Sequence, residues 1–168
     1  MPSWRHALPS DIEGLVKVAD NVHPDLPESD DVFQERIILF PEGCLILTGD
    51  DGEVCGYAIS HPIRHEEPPS LDKLLREIPP EANQYYIHDL AILPKMRGKG
   101  LAAEALRILL QVAEAYPSAC LISVYGTTSF WSKFGFTAEP ISDALTKKLE
   151  EYGEDATFMS RTRKGTSG

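Results

Sequence analysis

Apolar residues recur along the chain with two different spacings. The three- to four-residue spacing typical of amphipathic helices occurs at 12–19 and 32–38, and most clearly at 101–113, where acidic, basic and amide side chains occupy the opposite face. Shorter apolar runs, bounded by Gly, Pro and Asp, predict strands. These runs are "WRHAL", "CLILT", "VCGYAISHPI", "QYYIHDLAIL", "CLISVY" and "ATFMSRT". A short helix is predicted at "SFWSKF".

The resulting order, β–α–α–β–β–β–α–β–α–β, predicts an α/β fold with a mixed sheet. A proline-rich excursion over 64–83 interrupts it, and "SLDKLLREI" within this excursion predicts a further short helix. The length of 168 residues suits one domain, which we assign to residues 1–161. Residues 162–168 are expected to form a disordered C-terminal tail.

Charge and cysteine usage narrow the function classes. The formal net charge of −10 disfavours binding to nucleic acid or anionic membranes. The charge either attracts a cationic small substrate or serves only to keep the protein soluble. The three cysteines are widely spaced, without a CxxC pair, and are expected to be reduced core residues. The N-terminus lacks the apolar region of a secretory signal, and no run is long enough to span a membrane, so a cytoplasmic location is expected.

The segment "LPKMRGKGLAAEAL" places cations and two glycines just before the clearest helix. A strand that leads through a glycine turn into a helix start presents free backbone N–H groups, which together with the helix dipole can hold a phosphate. Gly98, Gly100 and Ala103 also match the dinucleotide pattern G-x-G-x-x-A. However, four residues separate the strand from the first glycine, and the next strand ends without the acidic residue expected for a ribose.

Two segments resemble the GNAT superfamily of acyl-CoA N-acyltransferases. In "DLAILPKMRGKGLA", residues Arg97, Gly100 and Ala102 fill the family pattern [Q/R]-x-x-G-x-[G/A] after a strand and a proline. Downstream, "SFWSKFGF" is similar to the family's "FY-x-K-x-GF" segment. The resemblance implies a twisted mixed sheet with helices on both faces and strands splayed to hold acyl-CoA. It also implies acetyl transfer from acetyl-CoA to a primary amine by direct attack in a ternary complex.

The resemblance also implies the residues that would contact acetyl-CoA. The backbone of the strand before the turn would pair with the pantetheine arm, the turn and helix start would bind the pyrophosphate, and the downstream segment would contribute further contacts. The residues are Leu90, Ala91, Ile92, Arg97, Gly98, Lys99, Gly100, Leu101, Ala102, Ala103, Ser129 and Trp131. No metal is expected.

The catalytic groups are less clearly defined. Relatives often use an acidic residue in the strand before the turn as a water-linked base, which suggests Asp89; His88 is the alternative. Strand alternation predicts that only one of these two can point into the cleft. Trp131 occupies the position of the family's tyrosine, the usual general acid, so Tyr125 is considered as a substitute.

Several alternatives remain open at this stage. His61 and His65 have a metal-like spacing, but Pro62 breaks the helix that would align them, so we favour a place beside the acceptor pocket. The stretch 20–31, with five acids and no Lys or Arg, is either a solvated loop or an electrostatic funnel for an amine or polyamine. Trp131 motivates a non-catalytic acyl-CoA-binding module, and G-x-G-x-x-A a nucleotide-dependent oxidoreductase. The sequence leaves open a homodimer and the choice between small amine and protein acceptor.

Overall fold

The computed structural model describes residues 1–162. Every strand and helix predicted in the main order is present, with two short elements in addition. The elements are β1 (Ser3–His6), α1 (Ile12–Val22), α2 (Asp30–Leu39), β2 (Cys44–Thr48), β3 (Val54–Ile63), β4 (Gln84–Ile92), α3 (Leu101–Ala113), β5 (Ser118–Ser123), α4 (Thr128–Ser132), β6 (Thr137–Ala138), α5 (Asp143–Leu149) and β7 (Thr157–Thr162).

The seven strands form one mixed sheet in the order β1-β2-β3-β4-β5-β7-β6. Neighbouring strands are antiparallel except for β4 and β5, which run parallel. Alternation along β2 and β3 directs one set of side chains towards α1 and α2, including Ile46 and Tyr57, and the other towards α3 and α4, including Leu45 and Ala58. Helices therefore cover both faces of the sheet, as predicted, and the fold is a mixed α/β fold.

The sheet opens in the middle of β4. Only residues 85–87 of β4 pair with β5, so the last part of β4 is unpaired on that side. At the same place the register with β3 shifts, because Ile59 lies opposite Asp89 while Ser60 lies opposite Ile87. His88 is thus the extra residue of a β-bulge, which bends a strand and re-aims its side chains. The expected splay is present between β4 and β5.

The helix predicted at "SLDKLLREI" does not form. Side chains of α2 take the backbone groups that a helix would use. The carboxylate of Glu35 accepts hydrogen bonds from the N–H groups of Leu75 (2.6 Å) and Arg76 (3.0 Å). The buried guanidinium of Arg36 donates to the carbonyl of Lys73 at 3.0 Å. Positive φ angles at Asp72 (58°) and Arg76 (74°) also interrupt helical geometry.

The C-terminal part differs from the prediction at two points. Sequence reasoning missed β6 and α5, which lie between α4 and β7. The predicted tail began at Thr162, but Thr162 is the last residue of β7 and pairs with Ser118. The remainder of that predicted tail, 163–168, lies outside the described residues.

His61 lies in the core rather than beside an acceptor pocket. Its ring is 1% exposed and packs edge-on against Tyr86, with the ring centroids 5.6 Å apart. Burial, aided by the charge of Arg36, lowers the pKa of His61 to about 3. His65 is exposed. Neither histidine lines either of the two cavities described below, so the suggestion that both border the acceptor pocket is wrong.

The burial of His61 predicts that the folded protein loses stability as the pH falls. The unfolded chain protonates His61 near its ordinary pKa of 6.5, whereas the folded state resists protonation until about 3. Its contribution to stability is therefore present above that ordinary pKa and is lost as the pH falls, by up to about 1.4 kcal/mol per pH unit. We expect His61→Phe to flatten the decline in unfolding free energy between about pH 6 and pH 4, measured by urea denaturation. Equal slopes in the two proteins would contradict this.

Candidate functional site

A cavity of about 660 Å³ lies where β4 and β5 part. The last half of β4, the glycine turn, the first turn of α3, the end of β5 and α4 form its walls. Its lining residues are Val22, His23, Ile87, His88, Asp89, Leu90, Ala91, Ile92, Met96, Arg97, Gly98, Gly100, Leu101, Ala102, Ala103, Leu121, Ile122, Val124, Tyr125, Thr127, Phe130 and Trp131. This volume is within the range of cavities that bind small molecules and cofactors.

The glycine turn forms one end of the cavity. Gly98 and Gly100 have φ angles of 80° and 74°, and no atom lies within 4 Å of the place where a Cβ would stand on either. Gly100 is the N-cap of α3 and gives the helix no side-chain cap. The first N–H groups of α3 therefore have no partner within the helix and face an unobstructed approach. This end of the cavity suits an anion such as a phosphate.

The turn is fixed on two sides. The indole N–H of Trp4 donates to the carbonyl of Leu101 at 2.8 Å, which ties β1 to the start of α3. The Nε of Arg97 donates to the carbonyl of Ile92 at 3.1 Å, which folds the turn back onto the end of β4. Along the unpaired edge of β4, backbone groups remain available to an amide-bearing ligand that pairs as an added strand.

Two histidine–carboxylate pairs join β4 to the loop between α1 and α2. The first consists of His23 and Asp89, with Nε2 of His23 2.8 Å from Oδ1 of Asp89; the other Asp89 oxygen accepts a short hydrogen bond from the Tyr57 hydroxyl. The second consists of His88 and Glu28, with Nε2 of His88 2.6 Å from Oε1 of Glu28. Each segment thus contributes one histidine and one acid.

The first pair is electrostatically coupled. Burial acts to lower the pKa of His23, but the charge of Asp89 and its hydrogen bond outweigh burial, so the pKa lies above its usual 6.5. Burial acts to raise the pKa of Asp89, yet the charge and hydrogen bond of His23, with the Tyr57 hydroxyl, hold it below its usual value. Asp89 is therefore ionised at neutral pH and is itself a weak base.

A second, smaller cavity of about 30 Å³ adjoins the first. His23, Glu28, His88 and Asp89 all line it, and Tyr152 closes another side. The prediction that only one of His88 and Asp89 faces the cleft is wrong, because the bulge at His88 breaks the alternation on which it rested. The space is sufficient for a water-sized group beside both pairs.

Tyr125 lies just beyond β5, is 45% exposed, and has a positive φ of 55°. It therefore lies outside the strand that the run "CLISVY" predicted. Its ring stacks on His23, with centroids 5.5 Å apart and an interplanar angle of 4°. Burial and nearby carboxylates raise the pKa of Tyr125, so the phenol is protonated at neutral pH.

The structure brings most of the predicted site residues together. Ten of the twelve predicted cofactor residues line the main cavity, and the other two, Lys99 and Ser129, do not. Trp131 lines the cavity with its indole N–H 3.3 Å from the Thr127 hydroxyl. Sequence reasoning missed His23, whose only signal was its position inside the acidic stretch 20–31.

The described residues offer neither a metal centre nor a reactive thiol. No group of three or more His, Cys, Asp or Glu within 1–162 is placed to hold a metal ion. All three cysteines are buried. Burial raises the pKa of Cys44 to about 12 and raises those of Cys55 and Cys120. Across these same residues, no helix has the length and apolar character needed to cross a bilayer.

The structure is thus an α/β fold whose sheet opens beside a glycine turn and an uncapped helix start. The chain belongs to the Acetyltransferase (GNAT) family, whose model matches residues 11–136. A search of curated proteins gave no significant match.

Solved structures share the fold at low sequence identity. The loading GNATL domain of CurA from Lyngbya majuscula aligns with a TM-score of 0.78 at 15% identity, covering 96% of this chain and 98% of that one. The GphF GNAT-like decarboxylase, in complex with isobutyryl-CoA, aligns at 0.79 and 16% identity, covering 96% and 100%. Ard1 from Thermoplasma volcanium aligns at 0.68 and 16% identity, covering 96% and 97%.

Proposed function

We propose that this protein transfers an acetyl group from acetyl-CoA to a primary amine. The observation that carries the proposal is the joining of the opened β4 edge to the glycine turn in one cavity, next to two histidine–carboxylate pairs. The opened edge of β4 suits the pantetheine of a CoA thioester, and the glycine turn suits its pyrophosphate. The pairs supply the ionisable groups that amine chemistry requires.

The cofactor-binding roles follow from the position of each segment. The free N–H groups at Gly98 to Ala103 would bind the pyrophosphate, and the β4 backbone at Leu90 to Ile92 would pair with the pantetheine amides. GphF is a neighbour solved with isobutyryl-CoA, which supports a CoA thioester as the ligand class. Trp131 provides an apolar wall near the opening of the sheet.

The charge at the other end of the site favours a cationic acceptor. Besides Asp89 and Glu28, the carboxylates of Asp20 and Asp25 lie near enough to add to burial in raising the pKa of Tyr57 and Tyr125, respectively. A small amine, a polyamine, a lysine side chain or an N-terminus would be attracted to this region. The electrostatic funnel, one of the two alternatives left open for the stretch 20–31, therefore becomes part of the proposal.

The transfer is proposed to occur directly within a ternary complex. A covalent acyl-enzyme requires a thiolate or another activated nucleophile, and all three cysteines are buried with raised pKa values. The amine nitrogen would attack the thioester carbonyl, and the C–S bond electrons would leave with the CoA sulfur. Tyr125, protonated and beside the cavity, is the candidate proton donor to that sulfur in place of the tyrosine replaced by Trp131.

Two specific observations favour other functions. Trp131 in place of the tyrosine favours a non-catalytic acyl-CoA-binding module. The structural neighbour GphF is a GNAT-like decarboxylase, and decarboxylation requires a carboxylate on the acyl group. In this chain such a carboxylate would meet Asp89 and Glu28, so an amine fits the local charge better.

A free-thiol release screen tests the proposed function. Purified protein with acetyl-CoA is offered polyamines, amino acids and lysine peptides, with malonyl-CoA alone in a parallel assay for CO₂ release. We expect amine-dependent CoA release with one acceptor class and none with malonyl-CoA. Binding of acetyl-CoA without turnover on any amine would favour the binding module, and CO₂ release would favour decarboxylation.

A further inference from the structure

We propose that His23 is the general base of the reaction, with Asp89 as the residue that positions it. This inference rests on the proposed acetyl transfer and assigns its proton acceptor. It departs from the sequence-based candidates, which were Asp89 and His88 on β4. His23 instead comes from the loop that follows α1.

In three of the four paired groups, every side-chain oxygen or ring nitrogen already has a hydrogen-bond partner. Both oxygens of Asp89 accept hydrogen bonds, one from His23 and one from Tyr57. Both oxygens of Glu28 are taken, by the His88 ring at 2.6 Å and by the Asp72 N–H at 3.1 Å. His88 uses its second ring nitrogen as well, which lies 3.3 Å from the Tyr86 hydroxyl.

His23 is the exception among these groups. Its Nε2 is bound to Asp89, whereas its Nδ1 is buried and has no hydrogen-bond partner within residues 1–162. An unpartnered buried polar atom is costly, and a catalytic role is one of the explanations for such an atom in a native structure. His23 lines both cavities and so lies where the acyl and acceptor ends meet.

Asp89 fixes the ring in the state a base needs. A carboxylate that accepts from Nε2–H leaves the lone pair of the neutral ring on Nδ1, and it stabilises the imidazolium that forms when Nδ1 gains a proton. The Tyr57 hydroxyl holds the second oxygen of Asp89, and the parallel ring of Tyr125 covers one face of His23. Asp89 and Tyr125 therefore fix the orientation of the His23 ring directly, and Tyr57 does so through Asp89.

The proton balance closes without another reactant. The neutral amine attacks the acetyl carbonyl carbon, forming the N–C bond and a cationic nitrogen in the tetrahedral intermediate. Nδ1 of His23 takes one proton from that nitrogen. The C–S bond breaks with its electron pair on sulfur, and the thiolate receives a proton, which leaves an amide, CoA thiol and neutral His23 after exchange with solvent.

The charges around His23 set the pH at which it acts. Asp89 on β4 and Glu28 on its own loop favour the imidazolium, while Arg97 from the glycine turn and burial oppose it. Tyr57 and Tyr125 face the pair as neutral phenols. The net effect keeps the pKa of His23 above 6.5, so turnover should fall as the pH drops through that raised pKa.

The test compares His23→Gln with His65→Gln. Gln retains an N–H that can bind Asp89 but has no basic nitrogen, and His65 is an exposed histidine outside both cavities. We expect His23→Gln to lower kcat about 100-fold or more and to abolish the acidic limb of the pH profile. Its Kd for acetyl-CoA should stay within about threefold, and His65→Gln should match the wild type.

Each outcome decides a different point. Wild-type kcat with an intact acidic limb in His23→Gln would overturn the assignment of the base and leave acetyl transfer standing. Absence of turnover in the wild type would overturn the proposed function, and the base with it. If His23→Gln fails to bind acetyl-CoA, ¹⁵N NMR of the wild-type histidines decides: a neutral His23 ring protonated on Nε2 supports the proposal, and one protonated on Nδ1 overturns it.

Discussion

Asp89→Asn is expected to lower kcat about 100-fold or more, with little change in acetyl-CoA affinity. Asn has only one oxygen, whereas Asp89 accepts hydrogen bonds on two, from His23 and Tyr57. One of these bonds must therefore be lost or reversed, and the negative charge that favours the His23 imidazolium disappears. A 100-fold loss corresponds to about 2.7 kcal/mol of transition-state stabilisation, within the range of general-base effects.

The pH profile distinguishes this effect from simple structural damage. Without the Asp89 charge the pKa of His23 should fall, so the acidic limb of kcat should move to lower pH even as the maximum declines. Asp143→Asn, at an exposed position in α5, is the matched control and should retain full turnover. A normal kcat in Asp89→Asn would contradict the prediction and would leave the Tyr57–Asp89–His23 arrangement with a structural role only.

Gly100→Val is expected to weaken acetyl-CoA binding about 100- to 200-fold. The Cβ of Gly100 would project into unobstructed space at the N-terminus of α3, where the pyrophosphate is proposed to lie. Loss of two charge-assisted hydrogen bonds, at about 1.5 kcal/mol each, gives an effect of this size. The φ of 74° adds backbone strain of about 1–2 kcal/mol for a β-branched side chain.

Gly52→Val is the control that distinguishes the effect of backbone strain from the effect of a side chain in the proposed pyrophosphate site. Gly52 also has a positive φ, 81°, and also has no neighbour near its would-be Cβ, but it lies in the β2–β3 turn and does not line the cavity. Both variants should lose similar stability, measured by thermal unfolding, whereas only Gly100→Val should raise the Kd. Equal Kd values for the two variants would contradict the proposal that the pyrophosphate binds at the glycine turn.

The sequence was most informative where a local pattern determines the structure. The apolar face of α3 and the run of β4 are strong periodic signals, and the positive φ of Gly98 and Gly100 explains why glycine is required there. The short helix predicted at "SLDKLLREI" failed because Glu35 and Arg36, about forty residues earlier in the chain, bind its backbone. Such long-range contacts leave no local sequence pattern.

At the proposed catalytic end of the site, sequence reasoning failed for the same reason, because two features there depend on contacts between distant parts of the chain. The bulge at His88 is a property of the register between β3 and β4, and simple alternation wrongly predicted that only one of His88 and Asp89 could face the cleft. His23 reaches Asp89 across 66 positions of sequence. Its only signal in the sequence was its position inside the acidic stretch 20–31. The cofactor end was therefore more predictable than the groups proposed to move the proton.

Calorimetric titration of the wild-type protein with acetyl-CoA is the most direct test of the acyl-CoA cavity. We predict saturable binding at one site per chain, competition by free CoA and no heat with NADH. Competition by CoA follows if the glycine turn holds the pyrophosphate, since both ligands carry it. Absence of acetyl-CoA binding, or binding of NADH instead, would contradict the assignment of the cavity between β4 and β5.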